Sequence, residues 1–183
     1  MPEDTQPAQR RLNRPKDKDD LLQQLIEQGP FHPAQRRLNR PKDKDDLLQQ
    51  LTEQGPFHEY RDVLVFAAAL GWYEGHRVPL GARGEPIRWE TATNRRGTET
   101  LANMIGAAET GDAEIVSPAR FEERLTIFEE YANGGLERLR AALAEAGPRP
   151  PLDVLVSLVQ KACRAGEEPD RFDLSSLADN LEW

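Results

Sequence analysis

Residues 7–32, PAQRRLNRPKDKDDLLQQLIEQGPFH, recur back to back as residues 33–58, and the copies differ at one of 26 positions, Ile26 against Thr52. A period near this length is used by stacked repeat proteins, but those need at least about three units, and their units drift apart in sequence. One extra, nearly identical copy is instead the mark of a recent in-frame duplication, so one copy is redundant for the fold. Only the second copy runs straight into the apolar segment EYRDVLVFAAALGW (residues 59–72). It is therefore the copy expected to be wired into the core. Residues 1–32 are expected to be peripheral and residues 33–183 to form a single, mainly helical domain, with 147–183 as a C-terminal helical extension. Without one unit about 155 residues remain, which is enough for one domain with a real core and too few for two.

The formal charge of −8 is unevenly placed: residues 1–58 carry ten Lys/Arg against ten Asp/Glu, and residues 59–183 carry 14 against 22. Such an acidic chain is no general nucleic-acid binder, although local basic patches are compatible with it. The single Cys163 has no partner for an internal disulfide, and there is no signal peptide, long apolar run or lipidation motif. These features predict a protein of the reducing cytoplasm that makes no membrane contact.

Along the chain, Pro41 suits a first helical position, Asp43, Asp45 and Asp46 favour the positive end of the helix dipole, and Gly55-Pro56 stops the helix. Leu47, Leu48 and Leu51 form its apolar stripe. Val63–Leu70 (VLVFAAAL) reads as a central buried helix, with Val63, Phe66, Ala67 and Leu70 fully enclosed. Between Gly71 and Gly97 the short extended pieces Val78-Pro79-Leu80 and Pro86-Ile87-Arg88-Trp89 flank Gly81–Gly84, which predicts a β-hairpin or an extended loop over about residues 76–90. Helices then return, one on Leu101, Met104, Ile105 and Ala108, ended by Gly111. Ser117-Pro118 starts another on Phe121, Leu125, Phe128 and Ala132, expected to end at Gly134-Gly135. Leu136, Leu139 and Leu143 continue to Gly147-Pro148, Leu152, Leu155, Val156, Val159 and Cys163 mark a further helix, and Leu174, Leu177 and Leu181 a short last one. The fold class is mainly α with a small β element.

Motifs for chemistry are scarce. The chain has no GxxxxGK[ST], GxGxxG, GxSxG or CxxC, so nucleotide-binding, hydrolase-elbow and zinc-ribbon readings lack their minimal parts. His58-Glu59-Tyr60-Arg61-Asp62 is one residue away from a zincin HExxH, but it has no obvious further ligand and reads as a charge cluster at a helix start. Glu122-Glu123 and Glu129-Glu130 fall on the polar side of their helix and read as a solvated face, and Cys163 reads as packing. No catalytic, cofactor-binding or metal-binding residue is assigned. The densest constellation is Trp72, Tyr73, His76, Arg77, Arg83, Arg88, Trp89, Arg95 and Arg96. Arginines neutralise phosphates and aromatic faces stack on bases, so this segment is the candidate DNA contact, against a reading in which Trp72 and Trp89 close the core and the arginines pair with Glu74, Glu85 and Glu90.

Arg40-Pro41-Lys42-Asp43-Lys44, Phe57, Tyr60-Arg61-Asp62, Phe66–Gly71, Pro86–Trp89, Ala108–Asp112 and Ile127–Gly135 together resemble the small accessory protein of bacterial DNA phosphorothioation (Dnd) systems, Dnd system-associated protein four. The resemblance spans about residues 38–146 and rests on several blocks in order. The duplicated N-terminus departs from the family pattern, as does the Pro-rich stretch from Gly147 onward, which leaves 147–183 without an inferred family role. The resemblance implies an accessory to gene clusters that place sulfur in the DNA backbone and restrict unmodified DNA, and it carries over no catalytic residue. A non-enzymatic adaptor of a phosphorothioation-linked restriction and antiphage system is the leading expectation, acting through other proteins of the Dnd system, with DNA as a second candidate partner. Arg77, Arg83, Arg88, Arg95 and Arg96 are its candidate DNA contacts. Glu129, Glu130, Tyr131 and Asn133 are its candidate partner contacts, because Asn133 and two glycines at a helix end would expose the last carbonyls. The alternatives are a DNA-binding regulator using residues 72–96 and a cryptic nuclease component, the latter without a visible PD…(D/E)xK arrangement.

Deleting residues 7–32 or residues 33–58 gives the same joined sequence apart from Thr or Ile at one helical position. Thermal melts of both products should match the full chain to within about 0.5 kcal/mol; a loss above about 2 kcal/mol in both would mean that the extra unit packs into the core.

Overall fold

The computed structural model describes residues 36–94 and 97–166. The first repeat copy, Arg95, Arg96 and the short helix expected around Leu174, Leu177 and Leu181 lie outside the described residues. In chain order the structure has strand β1 (Arg37–Leu38), a 3-10 turn (Lys42–Lys44), α1 (Asp45–Glu53), α2 (Tyr60–Tyr73), strand β2 (Ile87–Arg88) and α3 (Trp89–Thr93). It continues with α4 (Thr98–Thr110), two 3-10 turns (Ala113–Val116 and Pro118–Arg120), α5 (Phe121–Ala146) and α6 (Pro151–Gly166). The fold is mainly α with a two-stranded antiparallel sheet.

The centre of the molecule is the crossing of α2 on α5. A Cβ on Gly71 would come within 2.2 Å of the Tyr131 carbonyl oxygen, and one on Gly135 within 1.8 Å of the Ala67 carbonyl oxygen. The two backbones touch, and only glycine is small enough at those points. Val63, Leu64, Ala67 and Ala68 of α2 and Phe128, Ala132, Leu136 and Leu139 of α5 are almost completely enclosed around the crossing. Leaving α2, the chain turns in a Schellman cap: the Gly75 amide donates to the Trp72 carbonyl (3.1 Å) and the His76 amide to the Gly71 carbonyl (2.8 Å). Gly75 takes the left-handed conformation (φ 63°) that this cap requires. The cap lands on α5, where a Cβ on Gly134 would meet the His76 carbonyl oxygen at 1.9 Å.

Several expectations change here. Gly134-Gly135 do not end a helix: α5 runs 26 residues, and the stripe begun by Phe121, Leu125 and Phe128 continues through Leu136 and Leu139. Two interior glycines cost a helix roughly 0.5–1 kcal/mol each relative to alanine, and the close packing they permit outweighs that cost. Phe66 is only half-buried, its ring tilted against Phe57 with centroids 5.6 Å apart, because it sits at the rim of the crossing. Val63, Ala67 and Leu70 are buried as expected. Pro41 does not open α1 but precedes the 3-10 turn, with extended backbone. Met104 is exposed on α4, where Ala102 and Ile105 face inward, and α6 docks through Val154 and Leu155, leaving Leu152, Val156, Val159 and Cys163 exposed.

The hairpin over 76–90 is replaced by non-local pairing. β2 pairs antiparallel with β1 of the second repeat copy, in the register Arg37↔Arg88 and Leu38↔Ile87. The partnership extends past the strands, since the Trp89 amide donates to the Arg36 carbonyl, Gly84 to Arg40, and Lys42 to Ala82. The extended-loop alternative describes residues 78–86: Pro79 and Pro86 lack an amide for a local ladder, and the Val78 amide donates to the Glu130 carbonyl of α5 instead. Leu38, Leu47, Leu48 and Leu51 are all 3% exposed or less, so the second copy is part of the core. Among the described residues no helix is long and apolar enough to cross a membrane.

The crossing makes a sharp prediction about small side chains. Gly135→Ala should lose about 3 kcal/mol or more in a denaturant titration, because backbone rather than a flexible side chain stands in the way. Gly81→Ala, where nothing lies within 4 Å of the new methyl group, should stay within about 0.5 kcal/mol of the parent.

Candidate functional site

The paired segments Arg36–Lys42 and Ala82–Trp89 form a ribbon across one end of the helices. Because β-strand side chains alternate, Leu38 points into the core while its neighbour Arg37 is exposed, and the register sets Arg37 directly opposite the exposed Arg88. Arg83 is exposed further along the same ribbon, where it bridges to Pro41. Like charges placed opposite one another weaken a strand pair. Among the described residues no ion pair involves Arg37, Arg83 or Arg88. The ribbon is therefore an exposed cationic strip, and an anion bridging Arg37 and Arg88 would relieve their repulsion. Arg36 is turned inward over the Phe121 ring at 4.1 Å, and Arg40 is tied to Asp45 at 2.8 Å.

Of the arginines expected from sequence to face DNA, Arg83 and Arg88 thus lie on one ribbon, Arg88 opposite Arg37, which sequence reasoning missed. Its signal was the Arg36-Arg37 doublet in the repeat, meaningless until the pairing partner was known. Arg95 and Arg96 lie outside the described residues. Arg77 stands apart, bound to Glu109 at 2.7 Å and Glu130 at 2.6 Å. Partial burial works against the Arg77 charge, but the hydrogen bonds to the two carboxylates outweigh it and raise its pKa. The aromatics do not interleave with the strip. Trp89 is buried edge-on against Phe121 (5.3 Å), and Trp72, exposed at 37%, packs edge-on against Tyr131 (5.4 Å).

The four candidate partner contacts form no free surface. Glu129, Tyr131 and Asn133 are each 5% exposed or less, and Glu130 holds Arg77. Asn133 accepts a hydrogen bond from the Lys44 ammonium (2.6 Å) and donates to the Pro79 carbonyl (3.0 Å), pinning both the repeat arm and the loop to α5. Glu129 accepts from the Asn39 amide at 2.6 Å and from its side chain at 3.0 Å. The Tyr131 hydroxyl donates to Glu109 at 2.5 Å; burial and that carboxylate push its pKa up to about 12. The expected solvated face of Glu129-Glu130 is thus corrected. Period alone places Glu129 on the polar side of an isolated helix, but the arm lies over that side.

A family model described as DNA sulphur modification system-associated protein 4 matches residues 37–177. The chain belongs to this family. Membership bears out the resemblance carried by the sequence blocks, and it widens it. The match runs through α6 to residue 177, so the stretch from Gly147 onward is not foreign to the family pattern. It begins at Arg37, inside the second repeat copy, on the ribbon itself. Searches of curated proteins and of solved structures return no match to the chain. The family blocks coincide with the structural joints: Lys44, Gly71, Glu129, Asn133, Gly134 and Gly135 all lie in them.

Burial raises the Glu129 carboxyl to about pH 7, against the opposing pull of the Asn39 hydrogen bonds. A carboxyl whose folded pKa lies above its unfolded value binds its proton more tightly in the folded state, so its contribution to stability is full at low pH. It is lost as pH rises from the ordinary Glu range through about 7. Between pH 5 and pH 8 the parent should therefore lose on the order of 3 kcal/mol relative to Glu129→Gln. Denaturant titrations of both proteins at the two pH values measure this; parallel pH profiles would show that Glu129 is ordinarily ionised.

Proposed function

We propose that this protein is a non-enzymatic accessory of a DNA phosphorothioation-linked restriction system, serving antiphage defence, that meets the DNA backbone through the arginines of its two-stranded ribbon. It works otherwise by contact with other proteins of the Dnd system. Family membership supports the setting, and the observation that carries the DNA contact is the opposed, exposed pair Arg37 and Arg88, with Arg83 exposed further along the same ribbon. A guanidinium presents several donors in a plane that matches a phosphate, and a pair held at strand spacing is already oriented. Trp89, the aromatic of the ribbon itself, is buried against Phe121, which favours backbone contact over base stacking, and hence binding that tolerates sequence. The acidic remainder of the chain confines such binding to the strip and keeps it weak enough to depend on a protein partner for placement.

A gel-shift titration at two salt concentrations, on duplex DNA with and without backbone sulfur, tests the contact. The Arg37→Gln, Arg83→Gln, Arg88→Gln triple variant should lose the binding seen at low salt, and the salt slope should drop by about three units, one per phosphate contact. Arg77→Gln should leave DNA binding unchanged, since Arg77 is held by two carboxylates. Parent-like affinity and slope in the triple variant would sink the ribbon as the DNA surface, and affinity capture from the native host would then decide whether protein contact is the whole function.

A further inference from the structure

The side chains with which the second repeat copy holds the core have twins 26 positions earlier. Leu47, Leu48 and Leu51 fill the seat against the helices, Lys44 reaches Asn133, and Asn39 reaches Glu129. In the first copy Leu21, Leu22, Leu25, Lys18 and Asn13 stand at the matching positions. The one difference, Ile26 for Thr52, falls at a half-buried site where the Thr52 hydroxyl bonds to the Leu48 and Gln49 carbonyls of its own helix. An isoleucine there gives up no tertiary hydrogen bond.

We propose that this seat on α2 and α5 has two alternative occupants, and that residues 11–26 can take the place of residues 37–52 within the same molecule. The chain length permits it. The second copy reaches α2 through the five residues 55–59, whereas the first would reach it through the 31 residues 29–59, with the displaced second copy serving as the tether. Since all other terms are nearly equal, loop closure decides, and its three-halves power dependence on length favours the second copy roughly fifteenfold. The second copy therefore holds the seat in most molecules and the first is a reserve. In either state an Arg-Leu-Asn-Arg-Pro segment lies along Ala82–Trp89, with Arg11 in place of Arg37, so the cationic ribbon survives the exchange. The duplication thus protects the fold and the strip against damage to either copy.

The test is Leu48→Asp in the full chain and in a chain lacking residues 7–32. A carboxylate at this enclosed position should lower the folded-to-unfolded ratio of the shortened chain by about a thousandfold or more, to the point of failed expression. In the full chain the loss should be only roughly fifteenfold, because the first copy takes the seat. Leu22→Asp in the full chain should be silent. Limited trypsin digestion, read by fragment mass, supplies the second measurement: in full-length Leu48→Asp, Arg36, Arg37 and Lys44 should lose protection relative to the parent while Arg10, Arg11 and Lys18 gain it. Equal damage in both backgrounds, or a folded full-length variant whose digestion pattern is the parent's, overturns the exchange. So does a rescue that weakens on tenfold dilution, which would put the occupant in another molecule.

Discussion

Two helices touch backbone to backbone only where neither carries a side chain between their axes, and this protein meets that condition at Gly71 and Gly135, while Gly134 makes room for the cap that follows α2. Everything else is arranged around that contact. With alanines at 67, 68 and 132 completing the approach, α2 and α5 come too close for larger side chains at the crossing, and the bulk of Val63, Leu64, Phe128, Leu136 and Leu139 is displaced to its flanks. Those flanks are what the repeat arm, α4 and α6 cover. The same glycines that weaken α5 as an isolated helix let it become the axis of the fold, which is tertiary packing overriding local propensity.

Close approach also sets where polar groups go. The arm and the loop after α2 cannot bury apolar surface at the crossing itself, so they are fastened by polar pegs: Lys44 to Asn133, Asn39 to Glu129, and Asn133 to Pro79. The Lys44–Asn133 peg is deeply enclosed and the other two are half-buried, and losing the partner of an enclosed group would leave it desolvated without a bond, at a cost of about 1–3 kcal/mol or more for a charge. Such pairs add specificity of register more than net stability. They explain why a segment as polar as RLNRPKDKDD is part of the core structure.

The pegs and the strip divide the charged residues into two populations. Lys44, Arg61, Arg124 and Glu129 are interior groups with assigned partners, Arg61 bonding to the Thr91 carbonyl and Asn94 and Arg124 to the Ile115 carbonyl at 2.8 Å. Arg37, Arg83 and Arg88 lie outside, on a ribbon whose register opposes two of them. Association with a DNA sulphur modification system, given by the family, sits naturally with a strip of this kind. The interior population carries the architecture, and the exterior one is exposed on the ribbon.

Much of the fold was legible in the sequence. The Leu47, Leu48 and Leu51 stripe, the apolar run from Val63 to Leu70, the Gly111 stop and the stripe from Phe121 to Ala132 are local patterns, and a helix whose apolar face recurs every three or four residues declares itself without its neighbours. The family blocks were legible too, although the sequence could not say what they were for. What only the tertiary structure decided is non-local. Gly134-Gly135 read as a helix end because glycine is a poor helix former, and they proved to be a contact surface because α2 and the cap that follows it press on them. Residues 76–90 read as either a strand pair closing on itself or an extended loop; two prolines deny the local ladder, and the repeat arm supplies the strand partner instead. Glu129, Tyr131 and Asn133 read as a face for partners, but the arm covers Glu129 and Asn133 and Trp72 packs on Tyr131, while Arg37 gained its place opposite Arg88 from a register linking residues 51 positions apart. A helix is written in spacing along the chain; which of its faces is covered, and which charges meet across a sheet, depends on segments that only folding brings together.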